Sequence, residues 1–210
     1  MSTAVVGVID YTTGNSRSVV RALNFLGVPS RLLTSPGELD GIDRLILPGV
    51  GAAGTTMSYL GDAGWPAALD ELVRDGDMPF LGICVGLQLV FESSAEQGAR
   101  CLGWLPGTVR PFDGAGVRVP QMGWNQVRPR PGHPFVAGMP DSDYFYFVNS
   151  FYAEPADARV VAATTEYGTE FASVIAWRNI MATQFHAEKS GGLGLDLLRR
   201  FAALSRGELC

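Results

Sequence analysis

Histidine and cysteine are scarce in this chain: its 210 residues include two histidines, His133 and His186, and three cysteines, Cys84, Cys101 and Cys210. With so few imidazoles, any histidine chemistry has little choice of residue. The odd, widely spaced cysteines argue against a disulfide framework or a zinc-ligand pattern and fit the reduced thiols of a cytoplasmic protein. There is no lysine- or arginine-rich run, and the formal net charge is −5, which argues against nonspecific binding to nucleic acid or to an anionic membrane. Long apolar runs are missing as well. None reaches the roughly 18 residues of a membrane span, and the opening MSTAVVGVID has no basic region before its apolar run stops at Asp10.

What is present is the composition of one well-cored domain over residues 1–210, with 47% hydrophobic and 18% charged residues. A chain of this length buries roughly 70% of its unfolded surface, so it needs neither metal nor disulfide for stability. The 26 glycines and 13 prolines predict tight connections between short elements. AVVGVID, PSRLLT, RLILPG and MPFLGIC read as strands. Helices are expected near Ser16–Leu26, stopped by Gly27, over Trp65–Asp75, and from GLQLVFES. This β-α rhythm predicts a mostly parallel sheet with helices on both faces. The second half instead carries strand-like runs joined by turns: VRVPQMGWNQV, DYFYFVNSFYA, ARVVAATT, FASVIAWRN and IMATQFHA. These predict a mixed or antiparallel portion, closed by a helix near Leu193–Ser205.

The chemistry centres on PFLGICVGLQLVF. Cys84 lies between Gly82 and Gly86 where a strand is expected to turn into a helix. Ligands of α/β sheets bind outside the carboxyl ends of the strands, and a G-x-C-x-G turn there presents its thiol as the serine does in a nucleophile elbow. The positive end of the following helix would favour the thiolate. TQFHAEKSGG supplies a base: on a strand, His186 and Glu188 would project to the same side, so that Glu188 fixes the imidazole tautomer. His133, in RPGHPF, reads as a surface loop residue. LPGVGAAG and the amide of Val85 offer donors for an oxyanion, and no Walker-type Lys-Ser/Thr follows the glycines. DYTTGNSRSVVRAL reads as a helix start capped by Asn15 or Ser16. Gln88, one helical turn past Cys84, is placed to hold a substrate amide or carboxylate, or is an exposed helix residue.

Taken in order, DYTTGNSRSVVRAL, LPGVGAAG, GICVGLQLVF, PQMGWN, YFVNSF and QFHAEKS resemble the motifs of the triad-type (class I) glutamine amidotransferases. They are most similar to the glutaminase branch of imidazole glycerol phosphate synthase. The resemblance implies a flavodoxin-like α/β fold and hydrolysis of glutamine to glutamate and ammonia, with no metal or organic cofactor. It also implies a TIM-barrel cyclase as heterodimer partner, which uses the ammonia to make imidazole glycerol phosphate and an aminoimidazole carboxamide ribonucleotide. Carried over by position, Cys84 is the nucleophile, His186 the acid/base and Glu188 its orienting residue. Gly49, Val50 and Gly51 form the oxyanion strand with Val85; Gln88, Ser150 and Phe151 hold glutamine; Trp124, Asn125, Tyr146 and Lys189 face the cyclase. The chain departs from the family pattern at Ala187, where proline is usual, at Asn149 and Phe151, where histidine and tyrosine are usual, and at Gln121, where histidine is common. A paralogous glutaminase serving a different synthase, and a non-catalytic regulatory subunit, are the alternative readings.

Overall fold

The computed structural model describes residues 4–11, 15–130, 132 and 134–204. His133 and Cys210 lie outside these residues. The expected architecture is met: a central sheet is parallel in its first part and mixed, mostly antiparallel, in its second. Strands β1 (Val6–Ile9), β2 (Ser30–Leu33), β3 (Arg44–Gly49) and β4 (Phe80–Cys84) come from the first half. After them along the chain come β5 (Phe91–Ser94), β6 (Ala99–Arg100), β7 (Leu105–Pro111), β8 (Gln121–Pro129), β9 (Asp143–Asn149) and β10 (Phe151–Pro155). The last are β11 (Val161–Glu166), β12 (Glu170–Trp177) and β13 (Ile180–Thr183). The sheet runs β2-β1-β3-β4-β13-β12-β10-β7-β5-β6. Its first five strands are parallel. Every residue of β1, β3, β4 and β13 is buried, as expected of strands covered on both faces. Thus β3, β4 and β13 end side by side, and the turns that follow them share one edge of the sheet.

Helices are α1 (Ser16–Phe25), α2 (Ala53–Asp62), α3 (Trp65–Leu69), α4 (Val85–Leu89) and α5 (Gly191–Ala203). Four sequence expectations change. The glycine-rich loop after β3 runs directly into α2, a helix the pattern did not announce. The helix over Trp65–Asp75 keeps Pro66 in its first turn but widens to π geometry over Asp70–Arg74. The helix expected from GLQLVFES stops after five residues, because Phe91 and Ser93 pair with Leu105 and Thr108 in a strand. Asn15 occupies the N-cap position of α1, yet its side chain makes no cap hydrogen bond, and Ser16 donates instead to Asp10 at 3.0 Å. Among the described residues no helix is long and apolar enough to cross a membrane.

DYFYFVNSFYA forms two strands separated at Ser150. The first pairs with β8 in an arm whose alternation sorts the side chains: Phe145, Phe147 and Asn149 are buried, whereas Met122, Trp124 and Tyr144 are exposed. Phe145 stacks on Phe185 at 4.3 Å between ring centroids, and the Phe147 and Phe185 rings lie 5.7 Å apart. This packing clamps the arm onto the segment after β13, where His186 stands.

Candidate active site

Cys84 ends β4 and precedes α4 with φ 56° and ψ −105°. A non-glycine residue in this region costs roughly 1–3 kcal/mol and persists only where its surroundings fix it. The flanking glycines show how. A Cβ on Gly82 would lie 2.4 Å from the Gly86 carbonyl oxygen, and one on Gly86 would lie 2.0 Å from the Leu47 carbonyl oxygen. Neither position has room for a side chain, so the strand-to-helix turn folds tightly against β3. α4 has little more than one turn, so its dipole supplies less to the sulfur than the longer expected helix would. The sulfur's near neighbours are side chains and carbonyls. The thiol donates to the Val148 carbonyl at 3.8 Å, and the Gln184 amide donates to the sulfur at 3.7 Å.

His186 lies beyond β13 at the start of a short 3-10 turn, Ala187–Lys189. This turn, not strand alternation, brings Glu188 back beneath the imidazole, with Nδ1 2.9 Å from Glu188 Oε1. Both side chains are almost completely buried. The Asn15 side-chain amide donates to the same carboxylate oxygen, which explains why it caps nothing. The backbone of the turn is pinned too. His186 N–H donates to the Tyr146 carbonyl at 2.9 Å, Ser190 Oγ donates to the His186 carbonyl at 2.6 Å, and Tyr146 N–H donates to Ser190 Oγ at 3.0 Å. Burial alone pushes the imidazole pKa down. Hydrogen bonds to the Cys84 sulfur and the Glu188 carboxylate outweigh it and raise the value to about 10.

Cys84, His186, Val85 and Gln88 line a cavity of about 430 Å³ together with Val50, Gly51, Ser150 and Phe151, a volume suited to one small molecule. Gly49 lies behind the wall, where a Cβ would meet Val85 at 2.6 Å and the Tyr11 hydroxyl at 2.8 Å. Tyr11 is buried, and burial pushes its phenol up to about 12. Gln88 donates to the Phe151 carbonyl and to Gln184 Oε1, each at 3.2 Å, so its own carbonyl oxygen is left for a ligand. Asn149 Nδ2 reinforces the Phe151 carbonyl at 3.0 Å. Gln121, its strand partner, is likewise buried.

Glu96 also lines the cavity, held by the Ala53 N–H at 2.8 Å. Sequence reasoning missed it, because the preceding run read as helix and nothing in the pattern aims a carboxylate there. Trp124 is 56% exposed, and its ring meets Tyr146 edge-on at 6.0 Å. Asn125, beside it on β8, donates its side-chain amide to the Glu166 carbonyl at 2.9 Å. Lys189, the only lysine in the sequence, lines the cavity and a neighbouring hollow bounded by Arg21 and Phe25.

The sequence profile of the glutamine amidotransferase class-I family matches residues 7–203. The chain is 44% identical over 205 residues to the imidazole glycerol phosphate synthase subunit HisH of Dehalococcoides mccartyi, covering 97% of this chain and 99% of that one. It is 47% identical over 203 residues to the protein of the same name from Moorella thermoacetica, covering 96% and 95%. Among solved structures, PurLQS from Thermotoga maritima superposes with a TM-score of 0.76 at 15% identity over 96% of this chain and 98% of that one.

Proposed function

The chain belongs to the class-I glutamine amidotransferases, on the branch of the imidazole glycerol phosphate synthase subunit HisH, and from that premise we propose that Cys84, His186 and Glu188 hydrolyse glutamine. The observation that carries the assignment is the convergence at one cavity of a strained, glycine-flanked thiol, a buried imidazole lining the same cavity, and a buried carboxylate at 2.9 Å behind that imidazole.

His186 accepts the Cys84 thiol proton. The thiolate attacks the side-chain carbonyl carbon of glutamine, and the carbonyl oxygen takes the negative charge. The Val85 amide supports that oxygen with an amide of the Gly49–Gly51 segment. When the C–N bond breaks, His186 gives its proton to the leaving nitrogen, and ammonia departs. Water then adds to the glutamyl thioester, losing a proton to His186, and glutamate leaves. Gln88 and the backbone at Ser150 and Phe151 hold the substrate. Glu96 is the carboxylate placed to meet its α-ammonium group.

Ammonia released without an acceptor is wasted, so the subunit is expected to be slow when alone. The amides of the Gly49–Gly51 segment turn fully onto the oxyanion only when the partner and its ligand bind. The partner is a TIM-barrel cyclase subunit that takes up the ammonia to form imidazole glycerol phosphate and aminoimidazole carboxamide ribonucleotide. It docks on the face carrying Trp124, Tyr146 and Lys189. The test is glutamate release by the purified chain, alone and with cyclase plus its nucleotide ligand. Stimulated release that disappears in Cys84→Ala supports the reading; equal high rates with and without the partner refute the control.

A further inference from the structure

Gln184 has no place among the triad, oxyanion or substrate-holding residues, yet it touches two of those groups. It follows β13, two residues before His186, and its side chain is fully buried. A buried amide is costly unless its donors and acceptor are matched, and an apolar residue of the same size would serve packing better. Its two ends are matched to the site itself: Nε2 donates to Cys84 Sγ at 3.7 Å, and Oε1 accepts from Gln88 Nε2 at 3.2 Å.

The ionisation state of the sulfur gives this contact its consequence. As a thiol, Cys84 donates to the Val148 carbonyl at 3.8 Å. On losing its proton it faces that carbonyl dipole unfavourably and needs donors. α4 is only five residues long and offers little dipole. The charged and titratable groups around the sulfur are His186 from the turn after β13, with Glu188 behind it, Tyr11 after β1, and Glu96 and Lys189 on the cavity wall. His186 must let go of its proton during turnover. The Gln184 amide is a neutral donor that remains throughout.

We propose that Gln184 is a catalytic residue: its amide stabilises the Cys84 thiolate while its carbonyl fixes Gln88 with the acceptor end free for substrate. The inference rests on Cys84 being the nucleophile. One side chain then sets both the nucleophile and the substrate grip.

The experiment uses the whole subunit with its cyclase and compares the parent with Gln184→Glu and Gln184→Met. Glutamate keeps an acceptor for Gln88 but replaces the donor with a carboxylate; methionine removes both. Alkylation of Cys84 by iodoacetamide is followed against pH, because that reagent reads thiolate without needing the glutamine pocket. The thiolate midpoint is expected to rise by about one pH unit or more in both variants. The glutamine KM is expected to rise about tenfold in Gln184→Met and less than about threefold in Gln184→Glu. A purely structural role lowers Tm and leaves the midpoint alone. Midpoints within about 0.2 pH units of the parent in folded variants overturn the inference. That failure is separable from failure of the parent assignment, in which Cys84→Ala would still release glutamate; that result overturns both.

Discussion

Replacing Glu188 with glutamine isolates the charge behind His186 from its geometry. Glu188 Oε1 receives both the His186 ring N–H and the Asn15 amide. In Glu188→Gln the carboxamide oxygen can still take both, so the ring keeps its orientation and tautomer and only the negative charge is lost. The His186–Glu188 contact is 2.9 Å, with both side chains at most 2% exposed, so solvent screens it little. A hydrogen bond to a charged partner of this kind is worth about 1.5–3 kcal/mol, which corresponds to lowering the His186 pKa by about 1–2 pH units. The sign follows from the parent value of about 10, raised above the ordinary histidine range. The imidazolium contributes stability fully below about pH 6.5 and loses it as pH rises through about 10. In the variant that loss begins at lower pH. The assay is glutamine hydrolysis by the subunit–cyclase complex across pH, with thermal unfolding measured on the same samples. A kcat lower by roughly 10- to 100-fold and an alkaline limb moved toward neutrality are expected. A loss below about twofold with an unmoved alkaline limb would refute the reasoning.

Three further outcomes follow from the same geometry. Gly86→Ala drives a Cβ to 2.0 Å from the Leu47 carbonyl oxygen on a central strand, so a loss of about 3 kcal/mol, or a Tm lower by roughly 6–12 °C, is expected in calorimetry. Tyr11→Phe removes the phenol oxygen that lies behind Gly49, 2.8 Å from where its Cβ would be; loosening the oxyanion segment there is expected to raise the partner-free glutaminase rate by about 2- to 10-fold, and a fall would show that Tyr11 supports the active strand instead. Trp124→Ala, at a side chain 56% exposed, should weaken cyclase binding by about 30-fold with Tm unchanged within about 2 °C, as read by titration calorimetry and melting.

The elbow was legible because its backbone path leaves no choice of residue: Gly82 and Gly86 have no room for a Cβ, and that demand is written directly in GICVG. Strand β3 was legible because its Leu45–Leu47 run is apolar, as expected of a doubly covered parallel strand, and is bounded by the charged Asp43 and Arg44 and by the glycine loop. Legibility failed where tertiary partners decide. VFES has helical and strand readings until Leu105 and Thr108 arrive to pair with it. His186 and Glu188 were identified by type and spacing, but the 3-10 turn that joins them depends on the Tyr146 and Ser190 contacts. Asn15 carried the chemistry of a cap and reaches across 173 positions to a carboxylate instead. Glu96 and Gln184 had no local signal, since a polar residue facing a cavity differs from an exposed one only through neighbours distant in sequence.

The central claim is that glutamine's acyl group passes through the Cys84 sulfur. It is tested most directly by mixing the subunit–cyclase complex with glutamine, quenching in acid during turnover, and measuring the intact mass and the modified peptide. The account predicts one added glutamyl group on the peptide containing Cys84, absent in Cys84→Ala, which releases no glutamate. Glutamate release at the parental rate by Cys84→Ala would contradict it.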